Sequence, residues 1–385
     1  MTVVLAFWAS IALIVYGSIG FPLLVAARAA PRPRPWVARG AGRPSVTVVI
    51  AAHNEQDAIA AKVRNVLTLD YPAELLDCVI VSDGSTDATV SEAEGAAGGR
   101  LVVIDLPRSG KAVALNHGLE NATGDVVVFT DANSRLAADA VARIVEPFAD
   151  PEVGGVAGDQ RYLAGDEAGG ERAYWSFDRM IKQAESRGGN VISATGALYA
   201  VRRELARPVP DGVTDDFAMS TGVIELGHRL VFEPGAIAYE PPAPELRGEY
   251  RRKVRVMTRG FRSVGLRRAL LDPRRSGFYA VQLFSHKLLR RLVVIPMVVA
   301  AWTGWRLRRR RPIYRLAAAG QLTFHGLGIL GLALSRHRFG RSKLLAIPAY
   351  FAMINAAALH AVWNLLTGKR IDRWTPQRDP VEAKR

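Results

Sequence analysis

Four short polar clusters contain the residues of this 385-residue chain that are best suited to chemistry. They are His53-Asn54-Glu55, Asp83-Gly84-Ser85, Asp131-Ala132-Asn133 and Thr214-Asp215-Asp216. Taken alone, each aspartate is explained as a turn or helix-capping residue. Carboxylates that folding brings together can instead hold a divalent cation against a diphosphate, because Mg²⁺ and Mn²⁺ prefer oxygen ligands. The clusters together therefore favour a metal–diphosphate site.

Strands and helices alternate in the segment that carries the first three clusters. Val46–Ala51 is an apolar run except for Thr47, which is typical of a strand covered on both faces. The predicted elements, strand and helix in turn, are Val46–Ala51, Gln56–Leu69, Cys78–Ser82, Ala88–Ala97, Leu101–Leu106, Ala112–Glu120 and Val126–Thr130. This order predicts an α/β fold with a mostly parallel sheet. Ligands of such sheets bind at the carboxyl ends of the strands, where these three clusters lie.

Several common functional classes do not fit the sequence. No P-loop and no GxGxxG motif follows the first strand, so the usual ATP and dinucleotide signatures are absent. The single cysteine, Cys78, excludes a disulfide framework and a cysteine zinc site. Its apolar neighbours predict a buried thiol in a reducing compartment.

The distribution of charge argues against nucleic-acid binding, although the net charge is +15. Residues 1–40 carry 4 basic and no acidic groups, residues 41–246 carry 17 and 31, and residues 247–385 carry 30 and 5. The predicted globular part is therefore acidic and repels a polyanion. The basic residues flank apolar runs, where Lys and Arg mark the cytoplasmic face of a membrane and attract anionic lipids.

Uncharged runs predict a protein that crosses the membrane several times. Met1–Ala27 is long enough to span a bilayer, and a cleaved signal peptide is the alternative reading. Leu316–Ser335 and Leu344–Gly368 are further candidate spans. Phe278–Trp305 is mostly apolar but contains four basic or histidine residues. Three structures are open for it: an interfacial helix that leads into a span, a single tilted span, or a re-entrant hairpin. Four spans is the leading count, and the basic loops leave the orientation of the C-terminal spans open.

Seven motifs in order resemble the family 2 glycosyltransferases of GT-A fold. The similarity is greatest to the membrane-embedded branch that contains cellulose, chitin, hyaluronan and poly-N-acetylglucosamine synthases. The matching segments are Val46–Glu55, Val81–Asp87, Gly110–Asn116, Phe129–Asn133, Thr195–Arg203, Thr214–Asp216 and Arg251–Val256. The resemblance covers roughly residues 44–291. It implies a GT-A catalytic domain attached to transmembrane α-helices.

The resemblance implies a nucleotide and metal site. Ala52, Glu55 and Asp83 would line the nucleotide pocket, with uridine as the implied base. Lys111 would place a positive charge near the diphosphate or order Asp83. Asp131 corresponds to the first Asp of the family's Asp-x-Asp motif. The third position of that motif is Asn133 in this chain, which departs from the family because an amide is a neutral and weaker ligand than a carboxylate. The resemblance therefore implies metal binding by Asp131 and Asn133, with Mg²⁺ or Mn²⁺ as cofactor.

The resemblance also implies the acceptor side of the site. Asp216, preceded by Asp215, would be the general base for inverting, single-step transfer. Gly196 and Ala197 would form the acceptor floor, since small residues allow a sugar to approach closely. Arg252 and Arg255 would contact the diphosphate or the acceptor. In the corresponding family motif, Gln is replaced here by Arg252 and Trp by Val256, which puts polymer synthesis in doubt and leaves single transfer untouched.

These observations predict a metal-dependent hexosyltransferase of the cell membrane, with its catalytic domain in the cytoplasm. The donor is a UDP-sugar, and the acceptor is a growing exopolysaccharide or a lipid-linked saccharide. The alternatives are single transfer to a polyprenyl carrier and a catalytically silent nucleotide-binding membrane protein. Membrane lipids are expected partners, and a partner subunit or a second copy is left open. The predicted segments are an N-terminal span (1–28), a Pro-rich linker (29–44), the catalytic domain (45–246), basic interfacial helices (247–277), the C-terminal membrane region (278–368) and a polar tail (369–385).

Overall fold

The structure is a computed structural model that describes residues 1–31, 33–37, 42–162, 169–240, 246–335 and 337–369, with backbone only at 162, 169–175, 246–249, 338 and 341. Parts of the predicted linker and almost all of the predicted polar tail lie outside the described residues. The described chain forms two compact units. One contains Ala26–Pro244 and Arg262–Ala280, and the other contains Met1–Val25, Glu245–Phe261 and Val281–Lys369. The basic segment 247–277 is thus divided between the two units.

An eight-stranded mixed sheet forms the centre of the first unit. Its strands are β1 (Val46–Ala52), β2 (Leu76–Asp83), β3 (Val102–Leu106), β4 (Val126–Phe129), β5 (Arg135–Leu136), β6 (Val153–Tyr162), β7 (Tyr199–Arg202) and β8 (Arg229–Glu240). The spatial order is β3-β2-β1-β4-β7-β6-β8-β5. The first four strands are parallel, β7 is antiparallel to β4 and to β6, and β6 is parallel to β8. The predicted fold class is confirmed, and the four predicted strands and three predicted helices agree with the structure to within two residues.

The helices of the chain cover this sheet or form the second unit. In chain order they are α1 (Thr2–Val15), α2 (Phe21–Ala29), α3 (Gln56–Leu67), α4 (Thr89–Ala97), α5 (Lys111–Glu120), α6 (Ala140–Val145), α7 (Gly169–Gly188), α8 (Asp215–Glu225), α9 (Leu246–Leu266), α10 (Pro273–Ser276), α11 (Phe278–Gln282), α12 (Val294–Leu307), α13 (Pro312–Ala333) and α14 (Lys343–Leu366). Two π-helical segments, Tyr16–Gly20 and Leu283–Leu289, extend α1 and α11.

Strand β1 is buried along its whole length, as its mostly apolar sequence predicts. Alternate residues point to opposite faces. Val48 and Ile50 join the apolar core that contains Cys78, whereas Val49 faces α5 close to Gly118. The thiol of Cys78 is buried as predicted, and burial raises its pKa to about 12.

Apolar helices dominate the second unit. Among the residues that the structure describes, three helical segments are long and apolar enough to cross a membrane: Thr2–Ala29, Pro312–Ala333 and Lys343–Leu366. The pair Phe278–Leu289 and Val294–Leu307 is bent by 63° and would be a fourth span or a re-entrant loop. Helices α13 and α14 pack closely at Gly331, where an added Cβ would lie 2.5 Å from the carbonyl oxygen of Leu345.

Two helical glycines should respond oppositely to alanine. A Cβ at Gly118 of α5 would collide with Cγ1 of Val49, a branched side chain held in the sheet. A Cβ at Gly95 of α4 would meet no atom within 4 Å. We expect Gly118→Ala to destabilise the protein by about 1–3 kcal/mol through overpacking and Gly95→Ala to stabilise it by about 0.5–1 kcal/mol through helix propensity. Thermal unfolding of both variants tests this pair, and a shift of the same sign in both would contradict the packing of α5 on β1.

Candidate active site

The order of the strands brings Asp83 and Asp131 to one edge of the sheet. Asp83 is the last residue of β2, and Asp131 lies two residues beyond the end of β4. Both strands run parallel to β1, which lies between them. Their carboxyl ends therefore meet at the same edge, where parallel α/β sheets bind ligands.

The ammonium group of Lys111 joins two of the predicted carboxylates. Its Nζ lies 2.8 Å from Oδ1 of Asp131 and 3.2 Å from Oδ2 of Asp215. The three side chains are mostly buried, with exposed fractions of 15%, 28% and 12%. Burial by itself lowers the pKa of Lys111, but the two carboxylates outweigh it and hold this pKa above its ordinary value. Lys111 is therefore a fixed positive charge at the centre of the site.

The adjacent Asp215 and Asp216 have different environments at the start of α8. The carboxylate of Asp215 is buried against Lys111. Asp216 is half-buried, and its Oδ1 accepts a hydrogen bond of 2.7 Å from the backbone N–H of Phe217. The first turn of a helix favours negative side chains, because the helix dipole and free N–H groups stabilise them. Asp216 is thus the more accessible of the two carboxylates.

Asp83 supports the loop that leads into Lys111. Its carboxylate is 1% exposed, and Oδ2 accepts a hydrogen bond of 2.9 Å from Nη1 of Arg108. Oδ1 accepts from the backbone N–H groups of Ser109 and Gly110 at 2.6 and 2.7 Å. The sequence suggested that Lys111 either lies near the diphosphate or orders Asp83. In the structure, Arg108 and these two amides are the groups that contact the Asp83 carboxylate.

The turn after β1 is tied to the loop after β2. The backbone N–H of Glu55 donates to Oγ1 of Thr89 at 2.7 Å, and Nδ1 of His53 lies 2.8 Å from the carbonyl oxygen of Asp83. Glu55 is 5% exposed, and Ala52 has no exposed surface. Glu55 is thus tied to the segment after β2, and Ala52, which pairs with Ser82 in the sheet, has no open face. Their contact with a nucleotide stays a prediction.

Asp131 and Asn133 fit the chemistry of a divalent cation. A Cβ at Gly196 would lie 3.1 Å from Oδ2 of Asp131, so the glycine leaves space beside this oxygen. Asn133 is exposed at the same turn, and Ala197 next to Gly196 is buried. Within the described ranges, no three His, Cys, Asp or Glu side chains are grouped to hold a metal. The remaining ligands would have to be diphosphate and water oxygens, which Mg²⁺ commonly uses.

Sequence reasoning missed Arg108, and it gave no separate role to Tyr199, which lies within the Thr195–Arg203 motif. Arg108 precedes Lys111 by three positions and was hidden in a loop without a recognisable pattern. Tyr199 of β7 stacks on Phe129 at 4.9 Å, and its hydroxyl is buried with no hydrogen-bond partner in the described part of the chain. Burial raises the pKa of Tyr199 well above its ordinary value, and the nearby carboxylates of Asp215 and Asp216 add to the shift.

Arg252 and Arg255 lie on α9 in the second unit. Both are half-buried. Burial lowers the pKa of Arg255, and the neighbouring charges of Arg259 and Arg252 lower it further. Their predicted contact with a diphosphate stays a prediction from the sequence.

Comparison with known proteins identifies the domain that carries this site. The family model described as "Glycosyl transferase family 2" matches residues 47–209. A poly-beta-1,6-N-acetyl-D-glucosamine synthase of Staphylococcus aureus (strain MSSA476) is 30% identical over 220 residues, which are 54% of this chain and 53% of that protein. The synthase of the same name from Staphylococcus epidermidis is 26% identical over 221 residues, with the same coverage. The chain thus spans about half the length of the curated relatives it matches.

A solved structure is similar over almost the whole chain. The mannosyltransferase PcManGT from Pyrobaculum calidifontis, in complex with GDP-Man and Mn²⁺, matches with a TM-score of 0.71 and 27% sequence identity. The match covers 95% of this chain and 100% of that one.

Replacing Lys111 should destabilise the protein. In Lys111→Met, the mostly buried Asp131 and Asp215 lose their counter-charge, which should cost about 3–5 kcal/mol. The control is Arg143→Met, because the ion pairs of Arg143 with Asp139 and Glu146 are exposed and should contribute about 1 kcal/mol or less. Thermal unfolding of the two variants gives the comparison.

The pH dependence of unfolding, compared between wild type and Lys111→Met, gives a second test. Because the folded pKa of Lys111 is raised, its stabilising effect is complete below its unfolded value of 10.5 and is lost only above the folded value. The difference in unfolding midpoint between wild type and Lys111→Met should therefore be the same at pH 7 and pH 9. A difference that vanishes at pH 9, or a midpoint unchanged by Lys111→Met, would contradict the ion pairs.

Proposed function

Because residues 47–209 belong to glycosyltransferase family 2, we propose that this chain transfers a sugar from a nucleoside diphosphate sugar to a saccharide acceptor at a membrane. The observation that carries the proposal is the convergence of Asp131 and Asp215 on Lys111. A transferase needs positive charge for the departing diphosphate and a carboxylate base for the acceptor. Candidate groups for both needs converge here from separate elements.

The proposed reaction is a single displacement. Asp216 takes the proton of an acceptor hydroxyl as that oxygen forms a bond to the anomeric carbon. The bond from this carbon to the diphosphate oxygen breaks on the opposite side, so the anomeric configuration inverts. Asp131 and Asn133 would hold Mg²⁺ or Mn²⁺, which supplies positive charge to the diphosphate oxygens. Lys111 contributes a second positive charge and, through Asp215, fixes the start of α8, which carries the proposed base.

The identity of donor and product separates two versions of the proposal. The curated relatives are named for a polymer of N-acetylglucosamine, which supports a UDP-sugar donor and exopolysaccharide synthesis. The solved relative is a mannosyltransferase bound to GDP-Man and is similar along 95% of the chain, which supports single transfer. The replacement of the family's Trp by Val256 also favours single transfer, because a flat face for an acceptor sugar is lost.

The catalytic domain is proposed to lie on the cytoplasmic side of a multi-pass membrane protein. The three apolar segments and the bent pair support this arrangement. The Arg residues that follow the N-terminal segment support a cytoplasmic position for the sheet by the positive-inside rule.

Nucleoside diphosphate release by the purified full-length protein in detergent tests the function. The donors are UDP-GlcNAc, UDP-glucose, UDP-galactose and GDP-mannose, each with Mn²⁺ or Mg²⁺ and a lipid-linked or oligosaccharide acceptor. We expect turnover with one donor and a decrease in kcat of about 100-fold or more in Asp216→Asn, because a general base contributes roughly that much. The control is Asp211→Asn, an exposed aspartate five residues earlier, which should retain full activity. Equal turnover by Asp216→Asn and wild type would remove the base role.

Removal of metal tests the second part of the site. EDTA should abolish turnover, and Mn²⁺ or Mg²⁺ should restore it, because the diphosphate needs a neutralising cation. Chromatography of the product separates a polymer from a single added sugar. Full activity in EDTA would contradict the role of Asp131 and Asn133.

A further inference from the structure

Lys62 is a buried lysine beneath the candidate site. It lies on α3 and is 3% exposed, among apolar residues of the sheet core. Lysine is rarely buried so fully unless its charge is paired. In the part of the chain that the structure describes, Lys62 forms no ion pair, and its ammonium group is satisfied by hydrogen bonds alone.

All of these hydrogen bonds reach one turn. Nζ donates to Oγ1 of Thr130 at 2.8 Å, to the carbonyl oxygen of Ser134 at 2.8 Å and to Oγ of Ser134 at 3.1 Å. An ammonium group has three donors, and each of them is used. The two residues flank Asp131-Ala132-Asn133, so Lys62 holds both ends of the turn that presents the candidate metal ligands.

The same network continues to the proposed acceptor floor. The hydroxyl of Thr130 donates to the carbonyl oxygen of Ala197 at 2.7 Å. The hydroxyl of Ser134 donates to the carbonyl oxygen of Asp131 at 2.8 Å. The buried ammonium group of Lys62 is therefore linked, through Thr130, to the segment that leads into β7.

Stability alone does not account for a lysine at this position. Burial lowers the pKa of Lys62 to about 7, although Asp131 acts in the opposite direction. An apolar side chain of similar length would avoid this desolvation, but it would leave the carbonyl oxygen of Ser134 without this donor, so the two effects on stability oppose each other. What Lys62 adds beyond stability is the geometry that it imposes on the turn.

We propose that Lys62 is a positioning residue for sugar transfer, which fixes Asp131, Asn133 and the Gly196–Ala197 segment relative to one another from inside the core. The proposal rests on the proposed function for its catalytic consequence. Its structural part concerns only the two segments that the network joins.

The test compares Lys62→Met with Lys182→Met in the full-length protein. Lys182 is also mostly buried, with 12% of its side chain exposed, but it pairs with Asp178 on its own helix. We expect Lys62→Met to fold with a small change in the unfolding midpoint, because the removed desolvation and the lost hydrogen bonds oppose each other. Its kcat should fall about 100-fold, as misplacement of a reacting group by about 1 Å can cause. The Mn²⁺ concentration needed for half-maximal rate should rise. Lys182→Met should leave kcat and the Mn²⁺ requirement unchanged.

Two further measurements separate positioning from simple stabilisation. Hydrogen exchange should accelerate in the peptides containing Thr130–Ser134 and Thr195–Leu198 of Lys62→Met, and not in the peptide containing β2. Thr130→Val removes the hydrogen bond of 2.7 Å to Ala197 and leaves only the longer one of 3.5 Å from Ser134, so its effect on kcat should add little to that of Lys62→Met. Fully additive effects of the two substitutions on kcat would argue that they act independently.

A lower unfolding midpoint with an unchanged kcat and Mn²⁺ requirement would overturn the proposal, and so would unchanged exchange in both peptides. If wild type transfers no sugar from any donor, the proposed function fails. Hydrogen exchange then still decides whether Lys62 fixes the two segments.

Discussion

The structure of this site depends on how several carboxylates are brought together out of water. Like charges repel strongly where burial removes solvent screening, by about 4 kcal/mol for two unit charges 4 Å apart at an effective dielectric constant of about 20. Lys111 offsets this repulsion by contacting Asp131 and Asp215 at once. Each of the three residues comes from a different element, so the ion pairs also fix α5, the end of β4 and the start of α8 relative to one another.

The loops around Lys111 are held by a second set of buried polar contacts. Asp83 uses both carboxylate oxygens to fix the loop before α5, through Arg108 and two backbone amides. Lys62 holds the turn after β4 from below. Because buried polar groups are costly when unpaired, a loop that leaves this arrangement exposes unsatisfied donors and acceptors. The edge of the sheet is therefore fixed by hydrogen bonding as well as by packing.

Local patterns were sufficient to predict the first half of the fold. The mostly apolar sequence of β1 and the turn residues around Asp83 and Asp131 predict strands and helices to within two residues of the structure. The antiparallel strand β7 and the long β6–β8 pair carry no equally clear alternation and were not predicted. The roles of Arg108 and Lys62 were not predicted, for a different reason. Their partners are 25 and 68 positions away in the chain, and only the folded sheet brings them together.

The buried state of Cys78 makes this chain suitable for site-directed labelling. It is the only cysteine in the sequence, the residue is 2% exposed, and its raised pKa keeps the thiol protonated and unreactive at neutral pH. A cysteine introduced in the 308–311 or 337–342 loop would thus be the only reactive thiol for a maleimide. A reagent that cannot cross lipid could then report which side of the bilayer each basic loop occupies, without removing the native cysteine from the core.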